Sequence, residues 1–212
     1  SFNSPQGLLY DGDGKLYVSD TGNNALREIN FKTNRVTTLI GSGKRGAIID
    51  KTAISSKGFD LSNPGDLEFF PDKSMIVISN AGTHQLLSYD IENQKISALA
   101  GNGVNGGVDG KYPENSLSKI SDLSTYDEKL YFTDLNLSSL RILDKEGNIE
   151  TLIDGKKSHL LSKPLGLTVD DTGVYITDIA SRTIQKYDFT SQKVGEFIGG
   201  KEVQSKFPFK LN

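Results

Sequence analysis

The stretch Lys15-Leu16-Tyr17-Val18-Ser19-Asp20-Thr21-Gly22-Asn23-Asn24 returns three more times along the chain. Its copies are Met75-Ile76-Val77-Ile78-Ser79-Asn80-Ala81-Gly82-Thr83-His84, Lys129-Leu130-Tyr131-Phe132-Thr133-Asp134-Leu135-Asn136 and Gly173-Val174-Tyr175-Ile176-Thr177-Asp178-Ile179-Ala180-Ser181-Arg182. Each copy reads as a β-branched and aromatic strand, a sharp polar turn and the start of a second strand. A unit that recurs in this way fixes the architecture before any single residue is interpreted.

Working outward, a short strand precedes each copy and two more follow it. In the first unit these are Leu8-Leu9-Tyr10, the turn Asp11-Gly12-Asp13-Gly14, Leu16–Val18, Ala25–Ile29 and Val36–Ile40. The other units repeat this order with strands near 67–70, 74–79, 85–89 and 95–100, near 123–126, 129–133, 139–143 and 149–153, and near 167–169, 174–177, 183–187 and 193–198. Sixteen residues separate Asp20 from Val36, Asn80 from Ile96 and Asp178 from Val194, and fifteen separate Asp134 from Ile149. The spacing between units is looser, which places the insertions in the connections. The units span about 2–43, 61–103, 117–155 and 161–200, with a tail at 201–212, in a single repeat region. A four-stranded antiparallel unit cannot bury both faces alone. Stacking such units radially gives an all-β β-propeller, whereas solenoids use parallel strands and shorter repeats.

Composition narrows the chemistry. The 212 residues contain no cysteine, so disulfides, thiol nucleophiles and thiolate metal sites are excluded. The formal net charge of −3 provides no global attraction to nucleic acid or anionic membrane. No apolar run is long enough to span a bilayer, no signal peptide is recognisable, and the chain opens at Ser1, as expected of a mature product or an excised piece. The compartment stays open.

These residues resemble the NHL-repeat family, whose units run Pro-x-Gly, a strand, Gly-x-Leu-Tyr-Val-x-Asp, then Asn and another strand. Pro5-Gln6-Gly7 with Gly14 to Asn24 matches, as does Pro164-Leu165-Gly166 with Gly173 to Ile184. The second unit departs with Asn80 and His84, and the third with Ile120 and Asp122. Glycine-rich links, Gly41-Ser42-Gly43 and Gly101 to Gly110, fit the same pattern. The resemblance implies a propeller of about six blades. The four units seen are therefore read as a slice of a longer ring, with a closed four-bladed ring as the alternative. Leu211-Asn212 stands in phase with Phe2-Asn3, Leu61-Ser62 and Leu161-Ser162, as a further unit would begin.

Asp20, Asn80, Asp134 and Asp178 form the most regular polar series, and one side chain per unit at one turn predicts structural Asx-type turns. Four residues on stand Asn24, His84, Ser138 and Arg182, which differ chemically at one geometric position, as recognition residues would. Strand alternation puts them on the face where the links at 44–60 and 104–116 also open. Arg45, Asn105 and Tyr112 of those links complete the expected binding set.

No catalytic residues, cofactor or metal centre are expected. His84 and His159 are the only histidines, and no Gly-x-Ser-x-Gly elbow is present. Asp109 and the Asp11–Gly14 turn lack the ligand spacing of a calcium loop. Three functions stay in play. The leading one is a non-catalytic binding or scaffold module for a protein partner. The second is a propeller lyase or hydrolase with an axial site, where Asp66 and Asp122 are the polar exceptions on the innermost strands. The third is an RNA-binding propeller using Lys44, Arg45, Lys51, Lys57, Lys111 and Tyr112, which the interleaved acids Asp50, Asp60, Asp109 and Glu114 disfavour.

Overall fold

The computed structural model describes residues 1–199. The expected end of the fourth unit at residue 200, the tail 201–212 and the in-phase pair Leu211-Asn212 lie outside the described residues. The first sheet contains β1 (Leu8–Tyr10), β2 (Lys15–Asp20), β3 (Ala25–Asn30) and β4 (Arg35–Ile40). The second contains β5 (Ile54–Ser55), β6 (Pro64–Phe69), β7 (Met75–Asn80), β8 (Gln85–Asp90) and β9 (Lys95–Ala100). The third contains β10 (Gly110–Lys111), β11 (Ile120–Tyr126), β12 (Lys129–Asp134), β13 (Ser139–Asp144) and β14 (Asn148–Asp154). A one-turn helix, α1 (Gly155–Ser158), leads to the fourth sheet, β15 (Pro164–Val169), β16 (Gly173–Asp178), β17 (Thr183–Asp188) and β18 (Lys193–Gly199).

Every strand pair in the sheets is antiparallel, and the main strands of each sheet follow chain order. The last strand of every sheet carries a bulge at one register point, opposite Leu26–Arg27, Leu86–Leu87, Leu140–Arg141 and Ile184–Gln185. Such bulges twist a strand, which helps each sheet splay from a common hub.

Two sheets have five strands where four were expected. β5 lies on the outer edge of β9, and β10 on the outer edge of β14. Each is a two-residue piece of a link, too short to show a period of two in sequence. The links therefore leave the turn-bearing face and run down the rim of the next sheet. Ser56 N–H reaches the carbonyl of Gln94 at the opposite end of blade 2 (2.9 Å).

The core lies between sheets rather than within them. One cluster (Tyr17, Leu26, Ile40, Leu67, Ile78, Tyr89) joins sheets 1 and 2. Another (Val77, Leu86, Leu123, Phe132, Leu143) joins sheets 2 and 3, and a third (Tyr131, Leu140, Ile153, Leu161, Ile176) joins sheets 3 and 4. This is the packing of propeller blades, each of which borrows half its core from its neighbour. The innermost strands β1, β6, β11 and β15 touch in succession, and no contact of comparable extent joins the first and fourth blades among the described residues. Leu8 and Tyr10 on blade 1 and Ile179 and Phe197 on blade 4 are exposed. The four blades form an open arc, not a closed four-bladed ring.

Candidate functional site

One end of the arc is built by the same latch in each blade. After the second strand the chain turns through a left-handed residue: Asn24 (φ 49°), His84 (54°), Ser138 (55°) and Arg182 (60°). The turn residue before it holds the head of its own blade. Asp20 accepts Asn3 N–H (2.7 Å), and Asn80 accepts Ser62 N–H (2.8 Å). Asp134 accepts Ser118 and Lys119 N–H (2.9 and 3.1 Å), and Asp178 accepts Ser162 and Lys163 N–H (2.6 and 3.1 Å). All four are buried. Burial pushes Asp20 and Asp178 up, but the hydrogen bonds they accept outweigh it and leave both below the usual carboxylate range.

The left-handed residues carry a second task. Asn24 Oδ1 accepts Asn63 N–H (2.8 Å), His84 Nδ1 lies 2.8 Å from the Ser118 carbonyl, and the Ser138 hydroxyl donates to the Ser162 carbonyl (2.7 Å). Each reaches the head of the following blade, so these three side chains staple one blade to the next. Arg182 is exposed and makes no hydrogen bond or ion pair among the described residues.

The links enter by equivalent steps. Gly46 N–H donates to Leu61 O (2.9 Å) and Gly106 N–H to Leu117 O (3.0 Å), so Arg45 and Asn105, one residue earlier in each case, occupy matching exposed positions on the turn-bearing face. Tyr112 does not join them. It is half-buried on the rim, packed against the cluster between blades 1 and 2, with Lys51 Nζ 5.5 Å from its ring centroid.

Two side chains that the sequence did not single out pin the links. Gln85 is fully buried and exchanges hydrogen bonds with the Ile49 main chain while donating to Gly101 O. Arg141, also fully buried, donates to the carbonyls of Ser116 and Val108 (2.9 and 3.0 Å) and to Asp109 (2.8 Å). Asp109 in turn accepts from the Thr151 main chain and hydroxyl, so its carboxylate is committed to holding the link. A polar residue alternating with apolar ones on a third strand was the available signal, but nothing in the sequence marks its distant partner.

At the hub, Asp66 and Asp122 occupy matching positions on β6 and β11. Asp66 accepts Leu123 N–H (2.9 Å), and Asp122 accepts Leu167 N–H (2.5 Å), so each carboxyl crosses to the next blade. Blade 1 has Gly7 at this position, where an added Cβ would sit 2.4 Å from Gly65 O. Burial, with the hydrogen bond to Asp122, pushes Asp66 up to about 8. Among the described residues no group of three or more His, Asp or Glu is placed to hold a metal ion. None of the helices among the described residues is long and apolar enough to cross a membrane.

Antiparallel sheets splayed around a hub, each latched head to turn, define a β-propeller. Solved structures agree. An auxiliary nutrient binding protein from Bacteroides ovatus superposes with a TM-score of 0.69 at 15% identity, covering 93% of this chain and 49% of that one. A streptogramin B lyase superposes at 0.62 and 15% identity over 91% of this chain and 54% of that one. At these identities the likeness is one of fold. No protein-family model matches the chain.

Sequence relatives add the family. The chain is 27% identical to chicken NHL repeat-containing protein 2 over 89% of its length, and 26% identical to the human protein over the same share, covering 31% of each relative. It is 32% identical over 94% of its length to SUPPRESSOR OF QUENCHING 1, a chloroplastic protein of Arabidopsis thaliana, of which it covers 21%. The chain thus spans about a fifth to a third of these relatives. Its fold is a β-propeller, and over most of its length it is similar to NHL repeat-containing proteins.

Proposed function

We propose that this propeller is a non-catalytic binding module and that it engages a protein partner through the face bearing the second-to-third-strand turns and the link entries. The carrying observation is how charge is divided there. The turn acids of that face, Asp20, Asp134 and Asp178, are buried and committed to main-chain donors, while the partly exposed Asp60 accepts Ser42 N–H and Asp154 pairs with Lys157. Its cations, Arg45, Lys119, Lys163 and Arg182, are exposed and make no ion pair among the described residues. A chain of net charge −3 thus presents one locally cationic face, suited to carboxylates on a partner surface. Arg45, Asn105 and Arg182 offer free groups, while Asn24, His84 and Ser138 set the shape of the surface.

A protein fits better than a nucleic acid. Single-strand binders stack bases on exposed aromatics. Tyr112, the aromatic expected to do this, is turned against the rim beneath Lys51. The test is capture from source extract by wild type and by the triple variant Lys119→Glu, Lys163→Glu, Arg182→Glu. All three side chains are exposed, so the thermal midpoint should stay within a few degrees. A protein retained by wild type, released by moderate salt and lost from the variant is expected. An unchanged set of captured proteins would remove this face from consideration.

A further inference from the structure

Blades 2 and 4 share a stretch of rim down to single residues. Tyr89-Asp90 turns through Gln94-Lys95 into Ile96, and Tyr187-Asp188 turns through Gln192-Lys193 into Val194. The registers agree: Tyr89 pairs with Ile96 and Asp90 with Lys95, as Tyr187 pairs with Val194 and Asp188 with Lys193. Gln94 and Gln192 are both left-handed (φ 52° and 54°). The opposing walls also match, with Leu39 and Ile40 on β4 corresponding to Leu152 and Ile153 on β14 at the same bulge.

What covers these two surfaces differs. On blade 2, Ile54 and Ser55 pair with Ile96 and Lys95, Ser56 N–H donates to Gln94 O, and the Ser56 side chain lies beside the Tyr89 hydroxyl. Phe59, three residues after Ser56, packs into the seam with Ile49. Tyr89 is left 1% exposed. On blade 4 the preceding link, 155–163, is spent on α1 and the descent to Pro164, and no strand pairs with the outer edge of β18 among the described residues. In place of a covering segment there is a cavity of about 550 Å³ lined by Leu152, Ile153, Leu160, Tyr187, Gln192 and Val194. A second cavity of about 430 Å³, walled by Tyr126, Tyr131, Tyr187 and Phe189, adjoins it.

The geometry points to the seam between blades 3 and 4 as a docking station for an extended segment of another protein. That segment adds a fifth strand to β18 at Lys193–Val194, sets a serine or threonine hydroxyl against Tyr187, and seats a large apolar side chain three residues later between Leu152 and Tyr187. The occupant is specified by what the same surface already accepts from Ile54-Ser55-Ser56 and Phe59 in blade 2. Main-chain pairing supplies affinity and the cleft supplies selectivity, as in other strand-addition sites. The inference concerns the rim and does not rest on the face proposed above.

The probe is a fluorescent peptide of sequence 52–60, Thr-Ala-Ile-Ser-Ser-Lys-Gly-Phe-Asp, carrying a photo-crosslinker and titrated against the full chain. Saturable binding with Kd on the order of 0.1 mM, and crosslinks to residues 185–195, are expected. Peptide Phe→Asp should abolish binding. Leu160→Trp, which fills the mouth of the cleft from an exposed position, should weaken it at least tenfold. Tyr187→Phe should weaken it about threefold, the share of one hydrogen bond. Absence of binding to a folded chain, crosslinks to residues 89–96 instead, or affinity indifferent to Leu160→Trp would each overturn the proposal. So would concentration-dependent dimerisation abolished by Leu160→Trp, since the occupant would then be a second copy of this chain.

Discussion

Between blades 2 and 3 the chain lays down a long link that Arg141 and Asn115 tie to the rim. Asn115 is fully buried, accepts Gly101 N–H (2.7 Å) and donates to Gly110 O (2.9 Å). Between blades 3 and 4 the link is a single helical turn capped by Asp154, and the outer seam stays open. The strands on either side of both seams follow the same register, so the difference comes from the connections. A propeller blade is a fixed part whose rim can be closed by its own chain or left for another to close. Link length decides which.

The largest expected effect breaks the sealed side of that comparison. Arg141→Ala removes a fully buried guanidinium, strands two carbonyls and leaves the Asp109 carboxylate only its Thr151 donors. It should cost about 3–5 kcal/mol in chemical denaturation, with proteolytic nicking concentrated at 104–116. Arg27 holds the matching register position on β3, where it is partly exposed and bonds Asp20 (3.0 Å). Arg27→Ala should cost about 1 kcal/mol. Equal losses at the two sites would mean that the link is not what Arg141 holds.

Next in size is Phe59→Ala, which withdraws the plug from the seam between blades 1 and 2. A loss of about 2–3 kcal/mol is expected, together with new binding of an apolar dye at a seam that now resembles the open one. If the dye binds wild type and variant alike, the open seam between blades 3 and 4 already accounts for it and the two seams are not equivalent. Tyr89→Phe and Tyr187→Phe form a finer pair. The first removes the buried hydroxyl that faces Ser56 and should lower stability by about 1 kcal/mol. The second should leave it unchanged, since the Tyr187 hydroxyl bonds nothing among the described residues.

The sequence made the blades legible because their causes are local. A period of two, Asp-Gly turns and a recurring polar turn recover β1 to β4 nearly residue for residue, and the same holds around β7, β12 and β16. It also gathered Asn24, His84, Ser138 and Arg182 on one end. Their staples were not legible, because a side chain reaching a main-chain group in the next blade leaves no trace in its own neighbourhood. Chemical variety at that position looked like recognition, yet an amide oxygen, an imidazole and a hydroxyl all meet main-chain groups at the head of the next blade. β5 and β10 escaped for a related reason, since two residues cannot display alternation. Arg45 lies on the turn-bearing face, whereas Tyr112 was drawn onto the rim by contacts some sixty residues distant from it in sequence.

The mildest test contrasts the hub with the latches through pH. At the hub, burial and the hydrogen bond to Asp122 keep a proton on Asp66 up to about 8, so between pH about 4 and 8 the native state holds a proton that the unfolded chain has released. Stability contributed there falls as pH rises across that window. Asp20 and Asp178 lie below the ordinary range, so their contribution is present above pH about 4 and is lost as pH drops through their native values. Asp66→Asn keeps a partner for Asp122 and for Leu123 N–H without a proton to lose. It should match wild type at pH 4 and exceed it at pH 8, while the acid limb stays in place. An alkaline slope that survives Asp66→Asn would move that proton off the hub, and a vanished acid limb would mean that the latches and the hub titrate as one network rather than two.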